Sequence, residues 1–292
     1  MFSAMLKVPL YWSFRRWGWP PMLPMNITAS VTYRCNSRCR TCNVWRRERV
    51  DELSTEEWDR IFRSLGRAPF WITFSGGEPF LRADLPDICR SAYEHCRPGI
   101  INIPTNGLLG ERIVSAVARI CQSCPRTSIV VNLSLDHVGE EHDRIRGVPG
   151  NFQRAVATYH ALRKLAAPNL TLGIHTVISV FNVADFPRLY RELMELRPDS
   201  YITEIAEERV ELDTVGTGIT PTAEQYAQAI GFLLEEMRRK TPGASPVARI
   251  AQAFRREYYR LVVRWLQEQT QIIPCYAGFA SAQIAPQGDV WT

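Results

Sequence analysis

The sequence predicts an α/β protein built on a parallel sheet, and three observations carry that reading. Alternating, β-branched segments recur between segments of helical period. Each chemistry-bearing motif follows directly on one of the strand segments. The chain is also long enough, at 292 residues with 46% apolar content, for one main core plus an appendage. Strand–helix alternation of this kind calls for right-handed crossovers, and such sheets gather their chemistry at the carboxyl ends of the strands.

The predicted strands, in order, are 26–33, 70–75, 99–104, 129–135, 171–179 and 200–205. Helix-period segments at 55–65, 84–96, 111–120, 152–165 and 185–196 separate them. The first strand, NITASVTY, runs into RCNSRCRTCNVW, which sets Cys35, Cys39 and Cys42 in a C-x-x-x-C-x-x-C spacing on the loop that leaves it. Three thiolates leave one position of a metal centre open, and soft sulfur ligands select iron–sulfur clusters or zinc. Two plainer readings stand beside this one. Residues at i, i+4 and i+7 could form a buried stripe on a helix, and structural zinc could use the thiols, although no fourth Cys or His lies close by in sequence.

The second strand ends in Gly76, Gly77, Glu78 and Pro79. Paired glycines let a backbone turn sharply and approach a ligand, while proline removes a donor and stops the strand. Together, in this order and at this separation, the cysteine triplet and G-G-E-P resemble the cluster and cofactor motifs of the radical S-adenosylmethionine enzymes. The resemblance implies a partial (β/α)6 TIM-like barrel over roughly residues 26–215. It also implies a four-iron four-sulfur cluster on Cys35, Cys39 and Cys42 whose fourth iron takes the amine and carboxylate of S-adenosylmethionine. The methionyl end would meet the edge formed by Gly76, Gly77 and Glu78. The activity implied is reductive cleavage of that cofactor to a 5′-deoxyadenosyl radical, which abstracts hydrogen from a peptide, sugar or lipid-linked substrate. The electron would come from a donor such as flavodoxin or ferredoxin. A non-catalytic electron carrier or a structural zinc module is the competing class.

Later strand ends carry weaker signals. Thr105-Asn106-Gly107 follows the third strand, and Ser134, Asp136 and Arg146 follow the fourth. By the same resemblance Asn106, Ser134 and Arg146 are cofactor contacts, since amides and hydroxyls bond ribose or carboxylate oxygens and a guanidinium pairs with a carboxylate. T-N-G is equally an everyday turn, and Arg146 could pair with Asp143 on the surface. The family often has an aromatic residue before its last cluster cysteine. Here that residue is Thr41, so the adenine contact is open, and no residue of the fifth strand is assigned.

The ends of the chain read differently. Residues 1–50 hold nine Lys or Arg and one acid, a local charge of +8 within a total of +5. The arm 1–25 mixes aromatic and basic residues, as an interfacial membrane anchor does, and packing on the barrel or covering its open end are the other readings. No nucleic-acid-binding module is recognisable. Without a transmembrane run or the unbroken apolar region of a signal peptide, a cytoplasmic location is expected, peripheral at the membrane if the arm anchors it. The eight cysteines then speak for metal ligation or burial over disulfides. Cys89, Cys96, Cys121 and Cys124 read as helix packing. Segments 222–240 and 246–270 read as helices within a linking region 216–270. Residues 271–292, with Cys275, Gly278 and the turn at Pro286–Asp289, resemble the truncated start of a SPASM or twitch extension. One thiol does not hold an auxiliary cluster, so a single cluster is expected unless the natural chain is longer.

Overall fold

The computed structural model describes residues 6–48, 50–239 and 246–292. Residues 1–5 of the predicted arm, Arg49 of the basic stretch 1–50 and residue 240 of the predicted helix 222–240 lie outside these. Six strands, β1 (Asn26–Thr32), β2 (Trp71–Gly76), β3 (Ile100–Thr105), β4 (Ser128–Ser134), β5 (Leu170–Ile178) and β6 (Ser200–Ile205), follow in chain order, each parallel to the next. The sheet order is β6-β5-β4-β3-β2-β1-β7-β8, and its outermost strands do not close on each other, so the barrel is partial.

Alternation along the strands explains why the sheet has two unlike faces. Ile72 and Phe74, Ile101 and Ile103, and Ile129, Val131 and Leu133 are buried toward the helices. Thr73, Asn102 and Asn132 among the intervening positions are polar: Asn132 donates to Asn102 at 2.7 Å, and Asn102 reaches Thr73 at 3.4 Å. Period-two patterning thus makes an apolar face for the core and a hydrogen-bonding face for the lumen.

The helices are α1 (Val8–Trp17), α2 (Thr55–Leu65), α3 (Leu85–Cys96), α4 (Gly110–Ser123), α5 (Gly139–Arg146), α6 (Asn151–Arg163), α7 (Phe186–Met194), α8 (Ala223–Arg239) and α9 (Pro246–Glu268). A capping box starts α2: Ser54 accepts from the Glu57 amide and the Glu57 side chain accepts from the Ser54 amide. One turn apart on its inner face, Trp58 and Phe62 stack at 5.7 Å and are fully buried, a burial that contributes about 2–3 kcal/mol each. Cys89, Cys96, Cys121 and Cys124 are free and buried in this helical layer, and Cys96 donates to Phe62 O.

Two elements add to the sequence reading. Residues 139–146, to which it assigned no element, form α5, and residues 8–17 of the arm form α1. Residues 271–292 supply β7 (Ser281–Ile284), parallel to β1, and β8 (Val290–Trp291), antiparallel to β7. Without β7 the outer edge of β1 at Asn26–Ala29 would present unpaired backbone groups, and the added strand satisfies them.

Candidate metal centre and active site

The cysteine triplet lies on irregular chain between β1 and a single 3-10 turn at Val44–Arg46, so the three thiols are not a helical core stripe. Cys39 is buried and Cys35 and Cys42 are half-buried. Their loop is held from two sides. On one side the Gly77 amide donates to Thr32 O at 2.7 Å and the Glu78 amide to Arg34 O at 2.8 Å. On the other, the Arg38 amide donates to Arg146 O and the Arg40 amide to Ile145 O, both at 2.9 Å. The last carbonyls of α5, which have no partner within their own helix, are thereby satisfied by the cysteine loop. Gly147 makes that approach possible. It sits at φ +66°, and a Cβ there would come within 2.4 Å of Arg38 O.

The end of β2 turns inward. Gly76 adopts φ +120°, and Glu78 is buried, with Oε1 accepting from the Thr105 hydroxyl at 2.8 Å and from the Phe80 amide, and Oε2 accepting from the Asn106 amide at 2.8 Å. Burial pushes the Glu78 carboxyl up to about 7, against the pull of those three donors. Glu78 thus ties the T-N-G turn to the G-G-E turn. Asn106 continues the wall: its side-chain amide donates to Asn36 at 2.7 Å and lies 4.0 Å from Cys35 Sγ, while its carbonyl oxygen accepts from the Leu108 amide.

Arg146 does not pair with Asp143 on the surface. Its guanidinium is buried, with Nε 2.8 Å from Asp136 Oδ2 and Nη1 3.6 Å from Cys39 Sγ. Asp143 instead accepts from the Gly150 and Phe152 amides at the start of α6. Asp136 also accepts from the Val177 amide of β5 at 2.9 Å, and His142 fixes its loop, Nδ1 accepting from the Asp136 amide at 3.2 Å. Burial pushes His142 down to about 4, which keeps the imidazole neutral and free to donate from Nε2 to Asn151 at 3.1 Å. Removing Arg146 would strand the Asp136 carboxylate, so Arg146→Met should destabilise the fold by about 3–5 kcal/mol. Asp136→Asn should cost less, because a neutral amide still accepts from Val177. Equal denaturation midpoints for wild type and Arg146→Met would contradict the buried pair.

These groups converge. Cys35, Cys39 and Cys42, the turn Gly76–Gly77–Glu78, and Asn106, Ser134 and Arg146 all line one cavity of about 270 Å³ at the carboxyl ends of the strands. Trp45, Asp136 and His175 are among the cavity residues that sequence reading left without a role. Trp45 follows the cysteines and brings an aromatic wall that Thr41 lacks; Asp136 was named without a role; His175 stands at a lumen position of β5, its Nε2 3.7 Å from Glu204 of β6. Alternation along 171–179 carries the signal for His175, since it follows the buried Ile174.

The donor set suits an iron–sulfur cluster. Burial raises the Cys39 thiol while the adjacent Arg146 lowers it, and burial pushes Cys35 up to about 12, so a bound cationic metal is needed to hold these groups as thiolates. The Ser37 amide, 3.4 Å from Cys35 Sγ, and Arg146 offer N–H donors to sulfur.

The profile of the Radical SAM superfamily matches residues 29–193. The chain is 32% identical over 174 residues to the Fe-coproporphyrin III synthase of Methanosarcina barkeri, covering 58% of this chain and 41% of that one. It is 33% identical over 171 residues to the PqqA peptide cyclase of Granulibacter bethesdensis, covering 57% and 43%. The chain thus spans about two fifths of the length of these relatives. Streptococcus suis SuiB, solved with S-adenosylmethionine, superposes with a TM-score of 0.69 at 14% identity, over 95% of this chain and 62% of its own, a likeness of fold. Members of the superfamily are enzymes that use a four-iron four-sulfur cluster and S-adenosylmethionine. On the matched span, more than half of its length, this chain belongs to the Radical SAM superfamily.

Proposed function

We propose that residues 26–215 form the catalytic core of a radical S-adenosylmethionine enzyme, with Cys35, Cys39 and Cys42 as cluster ligands. The carrying observation is that the three thiols share one cavity with the β2, β3 and β4 turns. The bound cluster and cofactor would supply the chemistry, a 5′-deoxyadenosyl radical able to take hydrogen from an unactivated C–H bond. The chain's own residues bind, orient and exclude water. Arg146 compensates thiolate charge at Cys39. Asn106 and Ser134 offer an amide and a hydroxyl to the nucleoside or carboxylate, and the G-G-E turn fixes the floor against which the methionyl end would rest.

A peptide is the favoured substrate class. Glu204 and Glu207 stand at the carboxyl end of β6, with Arg209 bonded to Glu207 at 2.6 Å and His175 3.7 Å from Glu204. Such a rim attracts N–H donors and cations, as a peptide presents, and repels a carboxylate-bearing tetrapyrrole. The donor side is basic: Arg34, Arg38, Arg40 and Arg46 are exposed around the cysteines, and no acid occurs from 33 to 47. That surface suits an acidic one-electron carrier of the flavodoxin or ferredoxin kind, available in the cytoplasm.

Anaerobically reconstituted protein, reduced and given S-adenosylmethionine without substrate, should release 5′-deoxyadenosine slowly. A reducible cluster without nucleoside product would make the chain an electron carrier, and stoichiometric zinc without sulfide would make it a structural module.

A further inference from the structure

The amino-terminal segment keeps its large apolar side chains in water. Within α1 only Tyr11 is buried, its hydroxyl donating to Leu23 O at 2.7 Å. Phe14 packs edge-on against Phe279 at 5.3 Å, and Arg15 donates to Cys275 O at 2.9 Å while lying over the Tyr276 ring. These contacts fix the helix on the segment leading into β7. Elsewhere on the amino-terminal segment, Leu6 is 75% exposed, Val8 59%, Trp12 50%, Trp17 63%, Trp19 71% and Leu23 50%. Trp12 and Trp17 meet edge to face at 4.9 Å, so two indoles brace each other on the surface. Apolar groups clustered this way mark an interaction site, not chance exposure.

Charge decides the occupant. No carboxylate occurs before Glu48, so Lys7 and Arg16 have no acidic neighbour in sequence, while Arg15 is committed to Cys275 O and the Tyr276 ring. A second copy docking through the same face would bring these cations together, whereas an anionic bilayer neutralises them and accepts indoles at headgroup depth. No helix among the described residues is long and apolar enough to cross a membrane, and α1 has 10 residues, so the fitting geometry is a helix lying in the interface.

Orientation follows from the sheet. The arm enters β1 at its amino end, where the Met25 and Asn26 amides both donate to Ala280 O at 3.0 Å, just before β7. The cavity opens at the other, carboxyl, ends of the same parallel strands. We propose that this amino-terminal face docks the protein on anionic lipid with the cysteine loop and cavity mouth turned away from the membrane. The arm then does not cover the cavity, and membrane contact sets where the protein works. Substrate reaches the cavity from the aqueous side, not out of the bilayer. The proposal is independent of the catalytic reading.

Co-sedimentation of the full chain with phosphatidylglycerol–phosphatidylcholine vesicles tests it. Wild type should bind these and not pure phosphatidylcholine, and the combined change Trp12→Ser, Trp17→Ser and Trp19→Ser should cut partitioning by at least about tenfold. Because those side chains are exposed, the melting temperature should hold. The pair Lys7→Glu and Arg16→Glu, which leaves the aromatic groups in place, should weaken binding by about thirtyfold and abolish most of its salt dependence. Hydrogen exchange on vesicles should slow in 6–24 and leave 34–47 and 206–218 unchanged. Equal binding of wild type and both variants, absence of binding, or a dimer that the tryptophan changes dissolve would overturn lipid docking. Protection of 34–47 or 206–218 would overturn the orientation.

Discussion

Replacing Cys35, Cys39 and Cys42 with alanine should remove the iron–sulfur absorbance and drop S-adenosylmethionine cleavage by more than about a hundredfold, beyond what the loss of an outer-shell partner costs. The fold should survive, because the loop's anchors are backbone bonds from Gly77, Glu78, Arg38 and Arg40, none of which uses a cysteine side chain. Far-ultraviolet circular dichroism would therefore match wild type while iron falls from about four per chain to none. Cys39→Ser alone separates ligation from packing: it keeps a polar atom beside Arg146 Nη1, now 3.6 Å from sulfur, yet should still lose the cluster. Cys275→Ala serves as the control. That thiol is exposed, on the segment held by Arg15 near the amino end of β7, so its removal should leave iron content untouched. Loss of iron on changing Cys275, or full iron in the triple variant, would move the metal centre elsewhere.

The parallel sheet was legible because each strand buries alternate β-branched residues, and the cysteine and G-G-E-P segments could be placed on strand ends by the same pattern. The family resemblance also marked Asn106, Ser134 and Arg146. What spacing does not encode is direction. Arg146 was ambiguous between a cofactor contact and a surface pair with Asp143, three residues back; a pair with Asp136, ten residues back, was not foreseen. Only the helical turn of α5 points it inward to Asp136 and Cys39 and leaves Asp143 to cap α6. α5 itself went unseen because GEEHDRIR is almost wholly polar and carries little apolar periodicity, being held through its carbonyls by the cysteine loop. The placement of β7 beside β1 is a contact across about 250 residues of chain, and no local signal in SAQI specifies its partner. His175 was missed for a related reason: its role depends on Glu204 across the β5–β6 pairing, where Glu204 pairs with Val177, two residues beyond His175.

Gly77 gives the second large effect, and the structure reverses the sequence-based expectation for it. From sequence, a bulky residue there would obstruct the cofactor and spare the cluster. In the fold, a Cβ on Gly77 would lie 2.1 Å from Arg34 O, 2.6 Å from Arg34 C and 2.8 Å from Tyr33 O, all backbone atoms of the chain entering Cys35. Those atoms cannot yield as a flexible side chain would. The Gly77 and Glu78 amides are also committed to Thr32 O and Arg34 O, so relief of the clash breaks two hydrogen bonds worth about 1 kcal/mol each. With overpacking added, Gly77→Ala should cost about 3 kcal/mol, and the displaced loop should take Cys35 out of position. Iron retention and melting temperature should fall together. Gly231→Ala, inside α8 with nothing within 4 Å of the new methyl, should instead stabilise by about 0.5–1 kcal/mol. A Gly77→Ala protein with wild-type melting temperature and full iron, but without affinity for S-adenosylmethionine, would show that this glycine faces the cofactor. The expected coupled loss would show that it instead presses β2 against the loop that carries the cluster.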